Sequence, residues 1–147
     1  MASIGKFDKE FVERTIEIIE NCKGDFEYSF TLLLNCMQGL NNLPVEKRSK
    51  GTEFERLYVE KIKEMKVLSL ELDDDKTFRA VKNGFSHMRL EPVNNNGVFE
   101  AITINDVNTY QNDKRIHTSM TFTYNQLKEF ALFVAKLHLE RIDDLTR

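Results

Sequence analysis

The stretch from Phe78 to Leu90, Phe-Arg-Ala-Val-Lys-Asn-Gly-Phe-Ser-His-Met-Arg-Leu, separates into two faces when wound at about 100° per residue. Phe78, Ala80, Val81, Gly84, Phe85 and Met88 fall on one side, and Arg79, Lys82, Asn83, Ser86 and His87 on the other. Such a helix must bury its first face in a core and leave the second outside it. Polar helix faces usually carry Glu and Lys paired at four-residue spacing. This one carries two cations, an amide, a hydroxyl and an imidazole, with no carboxylate within the stretch. That is a set of groups suited to an anion. Asn83 and His87 stand one turn apart, and Arg79 lies a further turn back. Gly84 costs about 1 kcal/mol relative to Ala in a helix interior, which implies close approach of another helix to the backbone there.

The other segments predict a mainly helical chain. Phe7-Asp8 and the apolar positions Phe11, Val12, Ile16 and Ile19 predict a first helix with Asp8 as N-cap and Gly24 as its stop. Asp25 then caps a second helix, running to Asn41-Asn42-Leu43-Pro44, and the short join predicts an antiparallel helical hairpin. A third helix spans Phe54 to Met65. Val67 to Leu72 reads equally as an extended piece or a helix tail, and Asp73-Asp74-Asp75 reads as a cap that complements the dipole of the helix after it. Glu91-Pro92 and Asn94-Asn95-Asn96-Gly97 break the chain. Two-residue alternation over Val98 to Ile104 and Ile116 to Phe122 predicts a β-hairpin around a polar loop at 105–115. Thr-Tyr-Asn-Gln at 123–126 is a capping-box pattern that opens a last long helix.

Charge and composition narrow the function. A chain of 147 residues with 11 Phe, no Trp and 2 Pro fits one domain over 1–147 with an ordinary core. Net charge −3 argues against indiscriminate nucleic-acid binding, a property that scales with the phosphates neutralised. Cations do cluster locally, at Lys47, Arg48 and Lys50 and again at Arg79, Lys82 and Arg89. No apolar run is long enough for a bilayer and the first residues lack the apolar core of a signal peptide, so a cytoplasmic protein without membrane attachment is expected. Cys22 and Cys36 have no metal-ligand spacing and are expected as buried free thiols. No cofactor or metal is expected: His117 and His138 pair with no other ligand at zinc spacing, and the familiar phosphate-loop and hydrolase motifs are absent. His117 is expected on the surface of a strand and His138 as a core or rim residue of the last helix.

Lys82-Asn83-Gly84-Phe85-Ser86-His87 resembles the Arg-Asn-x-x-x-His motif of the HEPN superfamily, the higher-eukaryote and prokaryote nucleotide-binding domains. The layout is similar as well: two early helices, a motif helix in the second half and a terminal helix. The resemblance implies a HEPN-like bundle of four to five helices, here with a small β-hairpin inserted before the last. It also implies a metal-independent endoribonuclease or an inactive relative that binds nucleotide, RNA or a protein, acting as a homodimer whose motif helices face one another. Such proteins act in toxin–antitoxin and phage-defence systems, so an antitoxin or other protein partner belongs to the same expectation. Carried over, His87 matches the catalytic histidine, Asn83 the polar motif residue and Lys82 the motif arginine. Arg79 is a candidate substitute for the bidentate fork that Lys82 lacks. Arg89, Lys47, Arg48 and Lys50 are the candidate RNA contacts. A helical interaction protein whose stripe is merely solvated surface remains the third reading.

Overall fold

The computed structural model describes residues 6–24, 28–43, 52–95, 97–111 and 114–145. Within them the chain runs α1 (Lys6–Asn21), α2 (Ser29–Asn41), α3 (Glu53–Met65), α4 (Asp74–His87), β1 (Arg89–Asn95), β2 (Val98–Gln111), β3 (Lys114–Thr123) and α5 (Tyr124–Leu145). The architecture is a mainly helical, HEPN-like bundle with a small antiparallel sheet before the final helix, in the order β1-β2-β3. Asp25, expected as a cap, and the basic cluster Lys47, Arg48 and Lys50 lie outside the described residues.

Aromatic rings decide where the core sits. Phe78 of α4 meets Tyr58 of α3 edge-on at 5.0 Å between centroids, and Tyr58 meets Phe130 of α5 at 5.3 Å. Phe85, one face-repeat along α4, meets Phe122 of β3 at a tilt at 5.7 Å and stacks on Phe130 at 6.0 Å. Each fully buried aromatic of this kind contributes about 1.5–3 kcal/mol by leaving water. Together they fix the rotation of α4 about its own axis, so the polar stripe must face outwards. His138 is buried in the same core, with Nδ1 2.8 Å from the Val134 carbonyl and its ring edge-on to Phe54 at 4.9 Å. It is the satisfied core residue expected.

Several boundaries differ from the sequence expectation. Helix α1 packs antiparallel to α2 as expected, with Phe11 against Gly39 at one end and the Cys22 thiol 3.9 Å from the Ser29 carbonyl at the other, but its larger contact is along α5. Lys9 pairs with Asp143 at 2.9 Å at one end, and at the other Tyr124 Oη and Lys128 Nζ donate to the Cys22 carbonyl at 2.6 and 2.7 Å. Those side chains take carbonyls left open at the end of α1, so α5 supplies the cap that Gly24 was expected to supply. Gly24 serves close approach instead: a Cβ there would lie 2.8 Å from the Tyr124 ring. Asp8 falls inside the first turn of α1, not before it.

The motif helix ends at His87, three residues short of Leu90, because Met88 takes a left-handed conformation (φ 47°) and its N–H bonds the Gly84 carbonyl at 2.9 Å. Arg89 therefore opens β1 rather than extending the helix. Pro92 is tolerated because β1 is an edge strand of the sheet. The expected two-stranded hairpin is thus a three-stranded sheet, and the β2–β3 ladder continues to Gln111 opposite Lys114 through what was expected as a polar loop. The ambiguous Val67 to Ser69 is extended and seals part of the other edge: Thr121 N–H bonds the Val67 carbonyl at 3.0 Å and Ser69 N–H the Ser119 carbonyl at 2.9 Å. The capping box is present in both directions, Thr123 N–H to Gln126 Oε1 at 3.0 Å and Gln126 N–H to Thr123 Oγ1 at 3.2 Å.

Candidate functional site

The N-terminal half of α4 is built for a start signal. Asp73 caps it, its Oδ1 accepting the Lys76 N–H at 3.0 Å, and this bond holds the Asp73 carboxyl below the usual carboxylate range. Asp74 pairs with Lys63 of α3 at 2.6 Å. Asp75 reaches Arg79 one turn on, at 3.3 Å. This last contact corrects the view of the stripe as free of carboxylates: the helix begins four residues before Phe78 and brings one in. Arg79 is thereby drawn toward the acidic end of α4 and away from His87.

The C-terminal half carries the remaining chemistry. Asn83, Ser86 and His87 are exposed, and Lys82 is half-buried at the border of the stripe. Its Nζ lies 4.9 Å from the centre of the Phe78 ring, so the stem of Lys82 is laid back along the core side and its charge is held near one position. His87 is the last residue of α4 and favourably placed for a cation at the negative end of the helix dipole. Arg89 follows two residues later, exposed at the start of β1. Lys82, Asn83, Ser86 and His87 thus occupy one open face over two turns, with Phe78 and Phe85 anchoring the opposite face.

Two contributors were missed by the sequence reading. Gln38 Nε2 of α2 donates to the Ser86 carbonyl at 3.4 Å, and Asn41 Nδ2 donates to the Lys82 carbonyl at 3.3 Å. Ser86 Oγ also donates to the Lys82 carbonyl, at 3.0 Å. The other side-chain atom of Asn41, Oδ1, is buried without a hydrogen-bond partner. A buried acceptor left in this state costs about 1–3 kcal/mol. The signal available in the sequence was two amides three residues apart at the end of a helix that buries Leu33, Leu34, Cys36, Met37 and Leu40.

The remaining candidates divide plainly. His117 is exposed on β3, opposite Asn108. A groove of about 510 Å³ at the starts of α3 and α4 is lined by Glu53, Glu55, Asp74 and Asp75 among others, a charge pattern opposite to what a phosphate needs. Among the described residues no cluster of His, Cys, Asp and Glu is arranged to hold a metal ion, and no helix is long and apolar enough to cross a membrane. Cys22 and Cys36 are buried and free, and burial pushes the Cys36 thiol up to about 11.

No curated protein and no solved structure gives a significant match to this chain. A family model does, and over nearly the whole length: the model described as HEPN pEK499 p136 matches residues 1–145. The mainly helical bundle is in keeping with that match, and the chain belongs to the HEPN pEK499 p136 family.

Proposed function

We propose that this HEPN protein is a metal-independent endoribonuclease that works as a homodimer, with His87, Asn83 and Lys82 acting on an RNA phosphate. The observation that carries this reading is the exposure of His87 at the end of an open polar face that also holds Asn83 and Lys82, on a helix whose other face is locked by Phe78 and Phe85. In RNA the 2′-hydroxyl is already tethered beside its phosphate, so the chemistry needs proton transfer near neutral pH and donors for a charged phosphorane. His87 accepts the 2′-hydroxyl proton as the oxygen attacks phosphorus. The 5′-oxygen of the next nucleotide leaves with a proton supplied by His87 of a second protomer or by water. The products are a 2′,3′-cyclic phosphate and a 5′-hydroxyl. Lys82 and the Asn83 amide stabilise the phosphorane, and Arg89 with Lys47, Arg48 and Lys50 holds the flanking backbone.

A toxin or phage-defence component of the cytoplasm, held by an antitoxin or another protein partner, is the biological setting that fits such an activity. The second reading is a catalytically inactive module that binds nucleotide, RNA or protein through the same face. It is favoured by one observation, the pairing of Arg79 with Asp75, which leaves Lys82 rather than a guanidinium beside Asn83. Incubation of the pure protein with diverse RNAs in excess chelator separates the two. Cyclic-phosphate products that vanish in His87→Ala support the nuclease, and intact RNA retained on the wild-type protein supports the module.

A further inference from the structure

Helix α2 reads the backbone of α4 at the turn where the stripe is densest. Gln38 and Asn41 are three apart on α2, Lys82 and Ser86 four apart on α4, and each α2 amide donates to one of those two carbonyls. The earlier α2 residue meets the later α4 residue, so the helices run antiparallel here and the two bonds form a ladder across the seam. At 3.4 and 3.3 Å each is a light restraint, but carbonyls four residues apart lie along one side of a helix, so the pair resists rotation of α4 as one bond would not. The restrained turn contains Gly84 and ends at Met88 in a left-handed conformation, so the segment that presents His87 has little backbone stiffness of its own.

Core packing does not account for Asn41. Its Oδ1 is buried with no partner, and an apolar residue of the same size would avoid that cost. An amide held here against stability marks a place where local rules yield to function. We infer that Gln38 and Asn41 are positioning residues of the stripe, which act through the Lys82 and Ser86 carbonyls to set where Lys82, Ser86 and His87 point. This rests on the endoribonuclease reading for its catalytic consequence and on α2–α4 geometry alone for its structural one.

The test uses the full chain with Asn41→Leu, Gln38→Leu and the double variant. It reads kcat and KM on an RNA oligonucleotide, the melting temperature, and amide exchange along α4. Asn41→Leu should melt no lower than wild type, because the orphaned acceptor is removed together with the bond that the amide donates. In the double variant kcat should fall by about ten- to a hundredfold with KM changed by less than about threefold, the mark of misplaced groups rather than weakened binding. Amides of Ser86, His87 and Met88 should exchange about tenfold faster while those of Phe78 to Val81 are unchanged. Equal acceleration along all of α4 would overturn the proposal as mere loosening, and so would unchanged kcat with unchanged exchange. If wild type cuts no RNA the nuclease reading falls, and the exchange pattern still decides whether α2 holds the turn. If Asn41→Leu fails to fold, Gln38→Leu, at a half-exposed position, decides by the same readouts.

Discussion

Lys82 stands where the Arg-Asn-x-x-x-His motif that this helix resembles carries an arginine, and its surroundings say what the difference does. An ammonium 4.9 Å from the Phe78 ring centre is a point charge held on one side of the stripe, whereas an arginine there would add a planar fork that can grip two phosphate oxygens. Lys82→Arg should therefore keep or raise turnover, and Lys82→Ala should lower it by about tenfold or more, measured as initial rates on one RNA. Arg79 is tied to Asp75 by an exposed pair worth about 0.2–1 kcal/mol, so Asp75→Asn should tighten RNA binding by up to about fivefold in a titration at low salt. The identity of these residues was legible because polar types crowd one face of a 3.6-residue period. The Arg79–Asp75 pair was not, since its carboxylate lies upstream of the stretch that showed the pattern. The amides of Gln38 and Asn41 act on backbone atoms of another helix, and no periodicity reports that.

At the scale of elements, the starts of α4 and α5 and the ends of α2 and α3 were foreseen, while both ends of α1 were not. The capping box at Thr123 and Gln126 follows from side chains three residues apart, and Thr123→Ala should cost about 1 kcal/mol, read as a drop of a few degrees in melting temperature. Asp73 gives a second test. Its carboxyl is held below the usual range by the Lys76 N–H, so the stability it lends is complete above the ordinary carboxylate range and is lost as pH falls through the lowered value. Asp73→Asn keeps an acceptor without a charge and should flatten that part of the acid melt, below about pH 4. The end of α1 was misjudged because its cap comes from Tyr124 and Lys128, a hundred residues away in sequence. Strand β1 was missed because Glu91-Pro92 and a run of asparagines look like a break, and an edge strand tolerates both. The distal β2–β3 ladder lacks apolar alternation, the signal by which strands packed on a core are recognised.

For the whole molecule, the proposed cleavage needs two proton transfers, and the homodimer reading draws the second from His87 of another copy. Light scattering at micromolar concentration should therefore give twice the chain mass, with a monomer counting against the shared-cleft arrangement. Reversing Lys47, Arg48 and Lys50 together should weaken binding to all RNAs alike and flatten its salt dependence by roughly one unit of slope for each phosphate that the variant no longer neutralises. Unchanged affinity and slope would remove those residues from the RNA path. The central claim is that His87 on α4 moves the proton in RNA cleavage, and the most direct measurement is the cleavage rate of a single RNA in excess chelator, wild type beside His87→Ala. The expected result is a 2′,3′-cyclic phosphate product from wild type and a rate lower by about 10²–10⁴ in a His87→Ala protein with an unchanged melting temperature. Cleavage that requires Mg²⁺, or that continues at the wild-type rate in the folded His87→Ala protein, would contradict it.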